Sequence, residues 1–290
     1  MDMKQIGKYF SMVKFSHTIF ALPFALFGFT AAIYRTEFDF AWFTLGAVLI
    51  CMVTARNAAM GFNRYLDRDI DKANPRTATV REIPSGVIMP SSALAFVIVN
   101  LAVFWITTWF INPLCFLLAP IVLFILLFYS YTKRFTSWCH LVLGLGLAIA
   151  PFAAWIAVTG EWSFKPLFIS LGVLTWVSGF DIIYALQDQE FDKEQGLHSV
   201  PARFGKSRAL RISEFLHFVT IAALAYGGYV LEMNTFYLIG LGIFSALLIY
   251  QHTLVKPNDL SRVNLAFFTT NGLASLIFGI TGIADLIFFT

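Results

Sequence analysis

The chain has 290 residues, of which 58% are apolar and 13% charged, and its mean hydropathy is +0.74. Such a composition excludes an ordinary soluble domain and indicates an integral membrane protein with the lipid bilayer as its partner. The formal net charge of +3 is small, and the basic residues are scattered along the chain, which argues against a nucleic-acid partner. We therefore expect a single membrane-embedded domain over residues 1–290.

Apolar segments long enough to cross a bilayer, which takes about 20 residues, follow one another along the chain. There are nine: 16–34, 41–63, 91–111, 114–132, 137–158, 164–187, 209–231, 236–254 and 264–288. Ahead of the first, Ile6, Tyr9, Phe10 and Val13 have helical spacing with lysines between them, which predicts a short helix on the bilayer surface. The expected fold class is all-α integral membrane, with nine transmembrane helices.

Lysine and arginine are concentrated in alternate connections between these segments. The positive-inside rule places those connections in the cytoplasm, so the N-terminus is expected in the cytoplasm and the C-terminus outside. Two cytoplasmic connections, after the second and the sixth segment, are longer than the rest. Long ordered loops often carry function, so these two are the first places to look for a site.

The first long connection begins with "NRYLDRDID", residues 63–71. Asn63, Asp67 and Asp71 are spaced by four residues and therefore lie on one face if the segment is helical, whereas Asp69 points elsewhere. Carboxylates at the C-terminal end of a spanning helix are disfavoured by its macrodipole by about 0.3 to 1 kcal/mol each. A compensating cation is therefore expected.

The second long connection contains the same pattern, in "YALQDQEFD". Tyr184, Asp188 and Asp192 are spaced by four residues, and 121 residues separate Asp67 from Asp188, as they also separate Asp71 from Asp192. This is an internal repeat. Aligned carboxylates without accompanying histidine or cysteine suit Mg²⁺, which binds carboxylates together with substrate phosphates.

The four aspartates are therefore the predicted metal ligands, with Mg²⁺ as cofactor and a diphosphate as the bound group. The competing interpretation is two solvated helix ends, with Arg64 and Arg68 forming ordinary helical pairs with their acidic neighbours. Basic residues near the motifs are candidates for the diphosphate. They are Arg76 and Arg81 in the first loop, Lys133 and Arg134 after the fourth segment, and Arg203 and Lys206 in the second loop.

Several other polar residues are candidates for contacting a second substrate. Arg56 is singled out because it lies inside an apolar segment, where charges are commonly functional. The remaining candidates are Lys14, Tyr131, Asp181, Tyr184 and His198.

At these motifs the chain resembles the UbiA superfamily of membrane prenyltransferases. The matching stretches are "NRYLDRDID", "NPRT" with "REIPSG", "YSYTKRFT" and "YALQDQEFDKEQGLHSVPARFG". Within the superfamily the chain looks most like the 4-hydroxybenzoate polyprenyltransferase group and the related enzymes that prenylate a dihydroxynaphthoate in the futalosine route to menaquinone.

The resemblance implies a nine-helix bundle whose two acidic motifs face one another across a central cavity capped by the cytoplasmic loops. It also implies that Asn63 assists the four aspartates and that Arg68, Lys133 and Arg134 bind the diphosphate. The implied activity is Mg²⁺-dependent transfer of a polyprenyl group from polyprenyl diphosphate to the ring carbon ortho to the phenol of an aromatic acid. This reaction belongs to ubiquinone or menaquinone biosynthesis in the bacterial inner membrane.

Two other classes remain open at this point. A secondary transporter with a parallel internal repeat also fits charges inside a repeated membrane bundle, although transporter sites usually lie near the bilayer midplane. A structural subunit of a membrane complex is the other, and it predicts that neutralising Asp67 or Asp188 leaves function intact.

Overall fold

The computed structural model describes residues 3–289, except for the side chains of residues 3–6 and 15–17. Every regular element in this part of the chain is a helix, apart from one isolated antiparallel bridge between Lys256 and Asp259. The predicted all-α membrane class is confirmed. This outcome follows from composition, because long apolar segments must satisfy their backbone hydrogen bonds internally when no water is available.

The α-helices are numbered in chain order. They are α1 Met3–Met12, α2 Leu22–Tyr34, α3 Trp42–Leu66, α4 Arg68–Ala73, α5 Pro90–Ile111, α6 Pro113–Thr132, α7 Cys139–Thr159, α8 Leu167–Ala185, α9 Gln189–Glu194, α10 Val200–Phe204, α11 Lys206–Val230, α12 Thr235–Leu254 and α13 Asn271–Phe288. The 3₁₀ segments Phe15–Phe20 and Leu186–Asp188 precede α2 and α9, and the π-helical segment Leu265–Thr270 precedes α13.

Eight helices within the described residues are long and apolar enough to cross a membrane. The first predicted span, 16–34, is shorter than expected: α2 has 13 residues, and the chain before it, Phe15–Phe20, is 3₁₀ helix. Pro23 lies in the first turn of α2, where its missing N–H breaks no helical bond. The predicted count of nine is therefore approximate, with eight full spans and one shorter apolar helix over Thr18–Tyr34.

The described residues form two compact units, 3–18 with 46–131 and 19–45 with 132–289. In the first unit the predicted N-terminal helix is confirmed as α1, although the side chain of Ile6 lies outside those described. Met12 at the end of α1 and the next residue, Val13, pack with Ile83 and Ile88 of the first long loop, so this end of α1 covers protein. The location of α1 on the bilayer surface stays a prediction. A single domain and a central cavity stay predictions.

The second unit has six long helices in a closed packing order: α2, α7, α8, α11, α12, α13 and back to α2. Aromatic side chains fill its core, with ring centroids 5.3 to 5.6 Å apart for Phe24 with Trp176, Trp176 with Phe244, and Phe244 with Phe278. Ring pairs at this separation contribute beyond the area they bury. The core packs α7 and α8 together, and the second acidic motif begins at Tyr184, near the end of α8.

Close approach of α2 and α7 depends on a glycine. A Cβ added at Gly28 would overlap the backbone carbonyl oxygen of Pro151 and lie 2.8 Å from its Cα. Small residues permit this backbone proximity, which is a common basis of helix packing in membranes. Because the obstacle is backbone, a side chain at position 28 has no flexible neighbour to displace.

We predict that Gly28→Ala lowers the free energy of unfolding by about 1 to 3 kcal/mol, the usual cost of overpacking. Gly46→Ala is the matched control, because no atom lies within 4 Å of a Cβ at Gly46. In a helix this control should be neutral or stabilising by up to about 1 kcal/mol. SDS titration of the purified variants measures both, and equal effects at the two positions would contradict the packing.

Candidate active site

Both acidic motifs lie where a long helix ends and a six-residue helix begins. Asp67 is the N-cap of α4 with φ −88° and ψ 4°, and Asp188 is the N-cap of α9 with φ −101° and ψ 6°. The short helices α4 and α9 are themselves offset by 121 residues, from Arg68 to Gln189. The repeat read from the sequence therefore extends to the backbone geometry at the first aspartate of each motif.

The restart of the helix corrects the expected effect of the macrodipole. We expected all four carboxylates to lie at the C-terminal end of a spanning helix, where the dipole disfavours them. Instead Asp71 and Asp192 fall in the first turn of α4 and α9, where the partial positive charge of the helix N-terminus favours a carboxylate. The break between the two helices thus removes part of the unfavourable interaction between the carboxylates and the helix dipole. The acidic pair still lies at the end of the span.

In the first motif the backbone keeps Asn63, Asp67 and Asp71 in line. The Asp67 N–H donates to Asn63 O at 2.9 Å, and the Asp71 N–H donates to Asp67 O at 2.7 Å. The Asn63 side-chain amide donates to Asp67 Oδ2 at 3.0 Å. Asp67 and Asp71 are 1% and 3% exposed, so neither carboxylate is the solvated helix end of the competing interpretation.

The first long loop folds back onto this motif. Thr77 donates its hydroxyl to Asp71 O at 2.8 Å, and the Arg81 N–H donates to Thr77 O at 3.0 Å. This turn brings the Arg81 guanidinium into an ion pair with Asp71 Oδ1. Arg81 is thus one of the predicted diphosphate residues that the structure brings to an acidic motif.

The second motif has different partners. Ser199 donates its hydroxyl to Asp192 Oδ2 at 2.8 Å and accepts from Ala202 N–H at 3.2 Å, so one hydroxyl caps α10 and orients the carboxylate. Asp192 is also electrostatically repelled by Asp188 and attracted by Lys133. The structure therefore brings together three residues predicted for the site, the two aspartates and Lys133.

A buried histidine connects Asp181 to the second loop. His140, at the start of α7, lies with Nδ1 2.7 Å from Asp181 Oδ2, and the Val200 N–H donates to His140 Nε2 at 3.3 Å. An imidazole in this position donates its Nδ1 proton to the Asp181 carboxylate. His140 thus ties α8, which carries Asp181, to the segment that holds Ser199.

Arg56 contacts the N-terminal segment. Its guanidinium donates to Val13 O at 3.3 Å and Lys14 O at 3.0 Å, just after α1 ends. Lys14 has φ +48°, a left-handed conformation that ends a helix. Hydrogen bonds to two backbone carbonyls give Arg56 a structural role, because they satisfy its guanidinium inside the protein. The acceptor roles of Arg56 and Lys14 stay predictions.

Other predicted residues have local contacts. Arg68 donates to Tyr65 O at 2.9 Å and lies 3.8 Å from its exposed sequence neighbour Asp69. The Tyr131 ring packs 5.9 Å from Phe62 and the Tyr184 ring 4.3 Å from Phe267. Two backbone amides complete the set: the Arg76 N–H donates to Asn74 Oδ1, and the His198 N–H donates to Lys133 O.

Sequence reasoning missed three residues near the motifs. Arg64 is buried and its guanidinium donates to Asn63 Oδ1 at 3.4 Å, so a second arginine lies beside the first motif. His140 and Ser199 contact Asp181 and Asp192 from distant parts of the chain. Only Arg64 carried a signal in the sequence, its position inside the motif.

The donor set fits a hard divalent cation. Asp71 Oδ2 is buried and has no hydrogen-bond partner among the residues that the structure describes, so one carboxylate oxygen remains for a ligand. No group of three or more His, Cys, Asp and Glu side chains in the described part of the chain forms a metal cluster. Mg²⁺ commonly uses only one or two carboxylates and completes its shell with water and substrate phosphate.

Comparisons with known proteins agree with this chemistry. The UbiA prenyltransferase family model matches residues 21–273. The chain is 29% identical over 236 residues to a 4-hydroxybenzoate octaprenyltransferase of Francisella tularensis subsp. novicida (strain U112), covering 81% of both chains. It is 29% identical over 223 residues to the enzyme of the same name from Tolumonas auensis (strain DSM 9187 / NBRC 110442 / TA 4), covering 77% of both.

Two solved structures share the fold. A UbiA homolog from Aeropyrum pernix K1, in its apo form, superposes with a TM-score of 0.84 at 30% identity, covering 93% of this chain and 98% of that one. A UbiA homolog from Archaeoglobus fulgidus, bound to DMAPP and Mg²⁺, superposes with a TM-score of 0.71 at 22% identity, covering 97% and 99%. At that identity the second likeness shows the fold alone.

We predict that Asp71 and Arg81 are energetically coupled. In a double-mutant cycle with Asp71→Asn and Arg81→Gln, the coupling should be about 1 to 3 kcal/mol, because each single change leaves a buried partner without its counter-charge. The exposed pair Arg68→Gln with Asp69→Asn is the control and should give less than about 1 kcal/mol. SDS titration supplies the four stabilities, and additivity at Asp71 and Arg81 would contradict the ion pair.

Proposed function

We propose that this chain, which belongs to the UbiA prenyltransferase family, transfers a polyprenyl group from its diphosphate to an aromatic acid. The protein is a multi-span membrane transferase. Because both relatives named above are 4-hydroxybenzoate octaprenyltransferases, 4-hydroxybenzoate is the acceptor we favour, and a dihydroxynaphthoate is the second candidate. The product would enter ubiquinone or menaquinone biosynthesis, at a bacterial inner membrane with the N-terminus in the cytoplasm and the C-terminus outside.

The proposal rests on the two acidic motifs, each of which lies where a long helix ends and a short helix begins. Asp67 with Asp71, and Asp188 with Asp192, would hold Mg²⁺ against the diphosphate, and Asn63 would fix the orientation of Asp67 through its 3.0 Å hydrogen bond. Mg²⁺, when bound, supplies positive charge that stabilises the departing diphosphate. The DMAPP and Mg²⁺ in the Archaeoglobus fulgidus structure support this assignment.

Basic side chains would stabilise the rest of the charge that develops on the leaving group. Arg81 and Lys133 are the strongest candidates, because Arg81 pairs with Asp71 and Lys133 attracts Asp192. Arg68, Arg76 and Arg134 remain candidates from their positions in the sequence. A basic side chain already held beside an acidic pair needs little reorganisation when the diphosphate leaves. Arg81 and Lys133 are therefore preferred to the other basic residues as its partners.

The allylic cation left behind is attacked by the ring carbon ortho to the phenol, and loss of the ring proton then restores aromaticity. Asp181 is our candidate for accepting that proton, since its carboxylate is held in place by His140, with Nδ1 2.7 Å from Oδ2. His140 would act as a positioning residue. Tyr131, Tyr184, His198, Lys14 and Arg56 are proposed contacts of the acceptor.

Water must stay away from the cation, because it would convert the prenyl group to an alcohol. Burial of Asp67 and Asp71 agrees with a reaction shielded from bulk solvent. The transporter and structural-subunit alternatives lose their basis, because the family assignment identifies an enzyme.

We predict Mg²⁺-dependent product formation by the purified protein in nanodiscs. Prenyl diphosphates of several lengths are paired with 4-hydroxybenzoate or 1,4-dihydroxy-2-naphthoate, and product mass is measured. EDTA should abolish product and added Mg²⁺ should restore it. No product with any acceptor, or full activity in EDTA, would contradict the proposal.

We predict that Asp67→Asn and Asp188→Asn each lower kcat by about 100-fold or more, on the scale of losing one preset electrostatic group. Asp69→Asn and Glu190→Gln are matched controls, because both side chains are exposed and belong to the same two short helices. Each control removes one negative charge and should retain activity close to that of the unmodified enzyme. Equal losses in controls and test variants would mean that overall charge, and not the aligned carboxylates, matters.

A further inference from the structure

A cavity distinct from the acidic motifs lies in the second unit, where the connection between α6 and α7 meets the second long loop. Its volume is about 380 Å³. Three of its lining residues belong to the connection before α7, and five belong to α9, α10 and the segment between them. They are Phe135, Thr136, Ser137, Lys193, Leu197, His198, Ala202 and Arg203.

The charged side chains lining this cavity are basic. Lys193 and Arg203 are exposed at its rim, and His198 lies between them in sequence. The acidic neighbours on α9, Glu190 and Glu194, are not among the residues described as lining it. The cavity is therefore electrostatically suited to an anion. Its two cationic side chains, Lys193 and Arg203, suit a phosphate group.

A buried hydroxyl gives an independent reason to expect a ligand. Ser137 is 1% exposed and lines the cavity, and its Oγ has no hydrogen-bond partner among the residues that the structure describes. A buried hydroxyl without a partner costs free energy, so such a group is expected to bind a ligand or a water molecule. The hydroxyl would donate to a phosphate oxygen held by Lys193 and Arg203.

The surroundings of the cavity identify the source of the phosphate. The connection that carries Phe135, Ser137 and Trp138 joins two membrane-spanning helices, α6 and α7, so it lies at a membrane boundary. Phe135 and Trp138 are 58% and 46% exposed, and aromatic side chains at such boundaries anchor proteins among lipid head groups. At such a boundary the phosphate of a lipid head group is a more suitable ligand than free inorganic phosphate.

We propose that this cavity binds the phosphate of an anionic phospholipid head group, through Lys193, Arg203 and the Ser137 hydroxyl. Basic pockets between spanning helices are known to favour anionic head groups. The site belongs to the second unit alone, and none of the four aspartates lines it, although Lys193 directly follows Asp192 and His198 is also a proposed contact of the acceptor.

Native mass spectrometry of the delipidated protein tests the proposal, with phosphatidylglycerol and phosphatidylcholine as probes. Phosphatidylglycerol should bind more tightly than phosphatidylcholine. The double variant Lys193→Gln with Arg203→Gln should bind it about 10- to 30-fold more weakly, because two basic groups near the head group are lost. Ser137→Ala should weaken binding roughly tenfold, since a hydrogen bond to a charged group is lost.

Lys256→Gln with Arg262→Gln is the matched control. Both residues are exposed and lie in the connection between α12 and α13. Their substitution removes the same total charge, so phosphatidylglycerol binding should not change. Thermal unfolding of each variant checks that it is folded. Equal weakening by the control pair, or no effect of Ser137→Ala, would reduce the site to nonspecific charge attraction and overturn the proposal.

Inorganic phosphate distinguishes the two sources of the ligand. At millimolar concentration it should not displace phosphatidylglycerol, because the lipid gains additional energy from its acyl chains and from the aromatic boundary. Complete displacement would assign the cavity to a free phosphate and overturn the lipid assignment.

Discussion

Carboxylates at the end of an apolar helix are the constraint around which this protein is organised. A spanning helix that continued unbroken through Asp67 and Asp71 would place both against the negative end of its dipole. The chain instead ends the helix at Leu66 and begins α4 at Arg68, so Asp71 is in the first turn of a new helix. In the second motif α8 ends at Ala185, the 3₁₀ segment Leu186–Asp188 follows, and α9 begins at Gln189 with Asp192 in its first turn.

The sequence predicts the repeat but not the break. The backbone N–H groups of Asp67 and Asp71 still donate to the carbonyls four residues earlier, as they would in a continuous helix. Spacing by four residues is therefore the same with or without the junction. Neither junction contains glycine or proline, the residues that commonly mark such breaks. Local pattern therefore identifies which residues matter, whereas the direction of the local dipole requires coordinates.

Other parts of the candidate site depend on contacts between distant segments. Asp181 and His140 are 41 residues apart, and Val200 lies 60 residues beyond His140. In sequence His140 is one of five scattered histidines, with no spacing that links it to either motif. Composition and periodicity were sufficient for most of the spans because each depends only on its own apolar residues. They failed at α2, where 3₁₀ geometry replaces the first turns of the expected helix.

The two acidic motifs have similar backbones but different counter-charges. Asp71 forms a direct ion pair with Arg81, whereas Asp192 accepts a hydrogen bond from the neutral Ser199 hydroxyl and is attracted electrostatically by Lys133. The residue 121 positions after Arg81 is Ala202, so the repeat ends with the short helices and does not include the loops. Each motif therefore has a basic side chain of its own, Arg81 beside Asp71 and Lys133 acting on Asp192, and each offsets part of the carboxylate charge. The duplicated backbone geometry thus supplies two similar pairs of carboxylates, whereas their hydrogen-bonding and basic partners come from non-equivalent parts of the chain.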